Sequence, residues 1–255
     1  MLKRINFSTW QQFESHWVDG LVERISLVKR PFVNPILVHP KFLPFPKSQL
    51  VDPLLTHRLA SLETLTISKN THDLILFSPF LQWTKDVPGM LKQAYNSLTE
   101  GGLFVACFFG QDTLIEFKSV CAAYDIEHAQ GLQQRFLPTI HTKDAGMLMQ
   151  RAGFADPTAD IEHLSFSVTS VESLVEKLRD SGMNNSMAKV SCMPYIPTTM
   201  LQKTFLSAAN HSYLTQYPHQ SRGLNVSVDL IFICGWKQSD LKSISLLNKN
   251  LPIAL

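Results

Sequence analysis

The sequence predicts an α/β protein in which helices alternate with the strands of a buried sheet. Two observations predict it. Residues 73–77 (DLILF) and 103–109 (LFVACFF) are unbroken apolar runs of strand length, as strands buried on both faces require. Between them, residues 86–98 place Val87, Met90, Leu91, Ala94 and Leu98 on one helical face. A strand–helix–strand order of this kind implies crossover connections.

The other elements follow in chain order. Residues 11–29 place Phe13, Trp17, Leu21, Ile25 and Val28 at helical spacing, and Pro31 helps end that helix. Residues 36–38 form a very short buried strand. Four prolines between 40 and 53 remove donors and restrict the residues before them, so this stretch is expected to be irregular. Asp86 is placed to cap the helix at 86–98, and Glu100-Gly101-Gly102 supplies its stop and a turn. Asp112 is expected to cap a further helix running to Tyr124. Residues 142–152 form a short helix closed by Gly153, and 161–168 alternate as a strand. Ser170 caps a helix over 170–181 with Gly182 after it. A helix over 198–213 and a last strand over 226–234 complete the chain. No linker divides it, so residues 1–255 are read as one domain. It consists of an N-terminal helix (11–30), a core sheet region (36–110) and a C-terminal half (111–236).

Composition narrows the function classes. The chain has 255 residues, of which 45% are hydrophobic and 17% charged, and a net charge of +2, which excludes disorder and a collagen-like rod. The balance gives no electrostatic reason to expect nucleic acid. The longest apolar runs are far below the ~18 residues of a transmembrane span. Cys107, Cys121, Cys192 and Cys234 are widely spaced, as buried thiols of a reducing compartment are, and no metal-ligand spacing occurs. The first residues lack the apolar core of a signal peptide, so a cytoplasmic location is expected. The 11 glycines never stand two apart, so G-x-G occurs nowhere, and neither does a P-loop.

Residues 73–110 resemble the second half of class I SAM-dependent methyltransferases. In that family a strand F-D-x-V-x-x-S is followed by a helix with the turn L-x-P-G-G and another strand. Here Asp73 and Ser78 hold the places of the Asp and Ser, and Leu98-Thr99-Glu100-Gly101-Gly102 the turn. Leu81-Gln82-Trp83-Thr84-Lys85-Asp86-Val87-Pro88 resembles the L-H-W-x-N-D-L-P signature of two groups. One is the malonyl-carrier-protein O-methyltransferase of biotin synthesis. The other is the respiratory complex I assembly factor, known in mitochondria as a protein-arginine hydroxylase. Residues 109–118, with Asp112 and Glu116, resemble the assembly group's G-G-D-T-L-x-E-L-R. Asp144-Ala145-Gly146, Gln150 to Phe154, Met183 to Ser186 and Gly235-Trp236 match further elements.

The resemblance implies a Rossmann-like methyltransferase sheet with flanking helices, S-adenosylmethionine as cofactor, and a protein partner in respiratory NADH dehydrogenase. It also implies the mitochondrial matrix as the alternative location. The departures lie in the cofactor half. The family's glycine loop after the first strand corresponds here to Ile36-Leu37-Val38-His39-Pro40-Lys41-Phe42, without glycine or acid. The interval from Val38 to Asp73 is short, so the first βαβ unit is expected to be reduced. Leu59 to Leu65 resembles V-A-D-x-E-x-L, with Ser61 where the family has the Asp that contacts adenine. Three altered features for one ligand point to lost or changed SAM binding.

The resemblance therefore assigns Ser61, Leu62 and Ser78 to the cofactor side, and Trp83, Asp112 and Glu116 to the substrate cleft. Each has a structural alternative. Trp83 is equally a packing residue. Asp112 and Glu116, four apart on an expected helix, are equally a cap and a first-turn acid that complements the helix dipole. His39 is expected to be a loop histidine, and His16, His72, His128, His141 and His163 receive no role. Three functions remain open: an assembly factor that acts on or binds a protein, an active methyltransferase of the biotin-pathway type, and a catalytically inactive scaffold.

Overall fold

Seven strands form one mixed sheet in the computed structural model, which describes residues 5–7, 10–40, 56–59, 64–81, 84–128, 132, 136, 139–180, 203–217 and 223–238. The strands are β1 (Ile5–Phe7), β2 (Pro35–Pro40), β3 (Thr56–Leu59), β4 (His72–Phe77), β5 (Leu98–Phe109), β6 (Ala155–Val168) and β7 (Leu224–Trp236). Their order across the sheet is β1-β6-β7-β5-β4-β2-β3. All pairings are parallel except those of β7, which runs antiparallel to both β5 and β6.

The helices are α1 (Trp10–Ser26), α2 (Val87–Ser97), α3 (Ile115–His128), α4 (Thr142–Ala152), α5 (Val171–Asp180) and α6 (Lys203–Gln216). Side chains alternate across each strand, so the sheet builds two cores. Leu103, Val105 and Cys107 of β5 pack with Trp17 and Leu21 of α1 and with Phe117, Leu174 and Tyr213. Phe104, Ala106 and Phe108 pack on the other face with Leu91 and Ala94 of α2 and Met149 of α4. Among the described residues, no helix is long and apolar enough to cross a membrane. Cys107 and Cys121 are buried.

Several expectations hold. Asp86 caps α2, its Oδ1 accepting from the Gly89 N–H at 2.8 Å. Ser170 Oγ accepts from the Ser173 N–H. Gly153 ends α4 at φ +102, a left-handed conformation that glycine adopts without Cβ strain. Other expectations are corrected. Helix α1 stops at Ser26, short of residue 29. The turn at Gly101-Gly102 does not cap α2: Leu98 already has extended φ/ψ, and the glycines belong to a β5 that begins five residues early. Strands β1 and β3 were not foreseen, and β2, β6 and β7 outrun their expected lengths. The proline-rich stretch 41–55 and Gly182 lie outside the described residues.

The chain leaves β2 for β3 on one side and returns to β4 on the other, so the order in which strands are added to the sheet reverses between β2 and β4. Open α/β sheets bind ligands beyond the strand C-termini at such a point. Among the described residues, β3 is the only strand between β2 and β4 in sequence; residues 41–55 and 60–63, on which the expected reduction of the first unit falls, lie outside them.

Toward the other edge of the sheet, α1 is tied to β6 by charge. Arg24 lies over the Phe232 ring, 3.6 Å from its centroid, and pairs with Asp160 and with Glu162 at 3.1 Å. His16 Nε2 reaches Glu162 at 2.7 Å. The hydrogen bond to His16 and the Arg24 guanidinium hold the Glu162 carboxyl below its usual value, against the opposing effect of burial. A depressed folded pKa gives stability that is present above the unfolded value of about 4.3 and is lost as pH falls through the folded value. Glu162→Gln is therefore expected to cost on the order of 1 kcal/mol at pH 6, the scale of a partly exposed ion pair. Urea midpoints of variant and wild type should converge near pH 3.

Candidate functional site

At the reversal point, the β2 and β4 ends bring His39 and Ser78 together. His39 Nδ1 and Ser78 Oγ are 2.9 Å apart, and the two residues are 4% and 1% exposed. The Ser78 N–H donates to Val38 O at 3.2 Å and extends the β2–β4 ladder by one step. Ser78, assigned to the cofactor side, thus follows the C-terminal end of β4 and is buried against a histidine. His39 is not the loop histidine expected: it is part of the core. Ser61, Leu62 and Trp83 lie outside the described residues.

The described residues do not fit a SAM cradle of the glycine type. Such a cradle needs backbone N–H groups approached without a Cβ in the way. Here the β2 end carries a buried imidazole at 39 and a proline at 40, which has no N–H.

A second cluster forms beyond β5. Strand β5 stops at Phe109 opposite Leu230, whereas β7 begins at Leu224, so residues 224–229 of β7 present an open edge where β5 would have continued. Buried backbone donors and acceptors need partners, and the turn after β5 supplies them. The Gly110 N–H donates to Asp229 O at 2.8 Å, and the Leu114 N–H to Ser227 O at 2.7 Å. Thr113 Oγ1 both donates to Asp229 O and accepts from the Asp229 N–H, each at 3.1 Å. The Ser227 N–H donates to Glu116 Oε2 at 3.1 Å, and the Ser227 hydroxyl donates to Glu116 Oε1. A Cβ at Gly110 would stand 2.8 Å from the Asp229 Cβ, so only glycine lets the turn approach this closely.

This arrangement corrects two assignments. Glu116 is not a cleft acid: it is 8% exposed, and both carboxylate oxygens are committed to Ser227. Asp112 is exposed and does not cap α3, which begins three residues later at Ile115. The two do not share a helix face, because Asp112 precedes the helix. The turn holds Leu114 at φ +58, a conformation rare for a branched apolar residue and costing on the order of 1 kcal/mol or more.

The cluster also contains a pair that sequence reasoning missed. Asp229 on β7 and His163 on β6 are cross-strand partners, and Asp229 Oδ1 lies 2.7 Å from His163 Nδ1. Asp229 Oδ2 accepts from the Asp112 N–H at 3.3 Å. The carboxylate side chain is 5% exposed and the imidazole 27%. A carboxylate accepts, so the proton of this pair sits on Nδ1, which leaves Nε2 as the second proton position of the ring. Lys118 Nζ donates to Gln111 O nearby. Burial lowers its ammonium below the ordinary value, against the pull of Asp112 and Asp229. The group as a whole can accept a proton at His163 and stabilise the resulting imidazolium through Asp229. The one sequence signal was Asp229 itself, a lone acid in an apolar strand, which is rarely buried without a partner.

Comparison with known proteins places these observations. No family model matches the chain. Arginine-hydroxylase NDUFAF5, mitochondrial, from Mus musculus is 28% identical over 182 residues, covering 71% of this chain and 51% of that protein. Malonyl-[acyl-carrier protein] O-methyltransferase from Gallionella capsiferriformans is 28% identical over 129 residues, 51% of this chain and 42% of that protein. The chain thus spans about half the length of the curated relatives it matches. A solved candidate methyltransferase from Bacillus halodurans C-125 superposes with a TM-score of 0.50 at 13% identity, over 86% of this chain and 99% of that one. The chain has the Rossmann-like fold of class I SAM-dependent methyltransferases, and its sequence is similar to NDUFAF5 and to the malonyl-carrier-protein methyltransferases.

Proposed function

We propose that this chain serves the assembly of a respiratory NADH dehydrogenase, holding a protein partner at the mouth beyond β4 and β5 without a SAM donor on a glycine cradle. The observation that carries this reading is the buried His39–Ser78 pair at the point where strand order reverses. A ligand that needs bare backbone at that place meets side chains instead. Similarity to NDUFAF5 over 182 residues supports a protein as the partner. The bacterial cytoplasm or the mitochondrial matrix is the compartment this reading implies. The biotin-pathway alternative needs the cofactor that the described residues do not fit.

The His163–Asp229 pair favours a second reading, in which the mouth keeps an acid–base role and His163 Nε2 takes a proton from a protic side chain of the partner. One genetic experiment separates the readings. Deleting the gene is expected to lower assembled NADH dehydrogenase severalfold, measured by in-gel activity, and wild-type levels in the deletion strain would refute the assembly role. Complementation by His163→Gln supports a holding function alone. Failure of that variant, with normal accumulation of the protein, supports the acid–base reading.

A further inference from the structure

One face of the β6–β7 pair changes character along its length. Cross-strand partners share a face, and three such pairs in succession are polar: His163 with Asp229, Ser165 with Ser227, and Ser167 with Asn225. Further along the same face, Ile161, Ile231 and Ile233 join the core under α4. On the opposite face, Leu164, Phe166, Val226 and Val228 are buried in the other core. Solvent exposure does not account for the polar residues, because Ser165, Ser227 and Asp229 are 6%, 4% and 3% exposed. The side chains of Asp229 and Ser227 are committed to His163 and Glu116. The Ser165 and Ser167 hydroxyls and the Asn225 carboxamide have no hydrogen-bond partner among the described residues. A buried hydroxyl without a partner is destabilising, so Ser165 carries a cost in the free protein that a bound ligand would remove.

The chemistry of the row restricts the ligand. Each free hydroxyl and the carboxamide can both donate and accept, and none carries a charge, which suits a neutral ligand with donors and acceptors of its own. On a strand, residues of one face stand about 6.8 Å apart, so positions 163, 165 and 167 cover roughly 13–14 Å. An extended polypeptide presents N–H and C=O groups along one edge with the same two-residue repeat. We propose, on the reading that the partner is a protein, that this row binds an extended main-chain segment of it, about four residues long. Ser165, Ser167 and Asn225 bond its N–H and C=O groups, with His163 at one end of the row. Recognition through the main chain leaves the partner's side chains unspecified, so binding tolerates changes in their sequence.

The test is an NMR titration of the isotope-labelled full chain with a capped alanine–serine pentapeptide, beside a fully N-methylated form of that peptide and sorbitol. The peptide is expected to shift the Ser165, Ser167 and Asn225 signals saturably, with the N-methylated form at least about fivefold weaker and sorbitol without effect. Ser165→Ala should weaken peptide binding about fivefold, the scale of one net hydrogen bond. The same variant should raise the Tm of the free protein by about 2 °C, because an unpaired buried hydroxyl is gone. A serine with a purely structural role predicts the opposite change in Tm. Asn225→Ala, at a half-buried position, should weaken binding to a similar extent. A lower Tm in Ser165→Ala, unchanged peptide affinity in both variants, or equal binding of the N-methylated peptide or sorbitol would each overturn the proposal. Absence of peptide binding, where deletion of the gene lowers assembled NADH dehydrogenase, would overturn this site and leave the assembly reading standing.

Discussion

Glu116→Ala is expected to destabilise the protein by about 3 kcal/mol, whereas Asp112→Ala should change stability by less than about 0.5 kcal/mol. The resemblance treats these residues as a pair, and the structure separates them. Glu116 accepts from both the N–H and the hydroxyl of Ser227, so its removal strands two donors at 4% exposure. Each buried donor left unpaired costs about 1–3 kcal/mol. Asp112 is exposed, and the hydrogen bond to Asp229 comes from its backbone, which alanine retains. Urea unfolding of the two variants checks the difference. For a chain of this size, 3 kcal/mol is a fall of roughly 6–12 °C in Tm. A cleft role for Glu116 predicts the reverse: little loss of stability.

Phe104→Ala should cost about 3–5 kcal/mol, the largest single effect expected in the core. Its ring is fully buried, 5.4 Å from the Phe77 centroid and 5.0 Å from that of Phe154. It joins β4, β5 and the residue after Gly153 in one aromatic cluster, so a cavity there has little freedom to collapse. Ile126→Ala, at a position 72% exposed, serves as the control and should be nearly neutral. The same denaturation series measures both.

The parts of the fold legible in sequence were those fixed by local pattern. DLILF and LFVACFF became β4 and β5 because continuous apolar runs of that length suit strands covered on both faces. The Asp86 cap and the Gly153 stop were legible because each acts within four residues of itself. Strand β3 was not, because THRL is four residues with no alternation to mark it. The start of α3 was misplaced because Leu114 adopts positive φ, a conformation no residue pattern announces. Glu116 was assigned to the cleft because its partner Ser227 lies 111 residues away. His163 and Asp229 meet only through the β6–β7 register, and a histidine in an alternating strand gives no hint of its cross-strand neighbour. The resemblance put Asp112 and Glu116 together in a cleft, and the structure leaves the first exposed and buries the second against Ser227.

The replacement of the glycine loop by His39 and Pro40 is the central claim about function, and calorimetric titration of the protein with S-adenosylmethionine and S-adenosylhomocysteine tests it most directly. The claim predicts no saturable heat with either ligand up to millimolar concentration. A dissociation constant tighter than roughly 100 µM, a binding free energy beyond about 5 kcal/mol, would contradict it and return the search to the methyl acceptor.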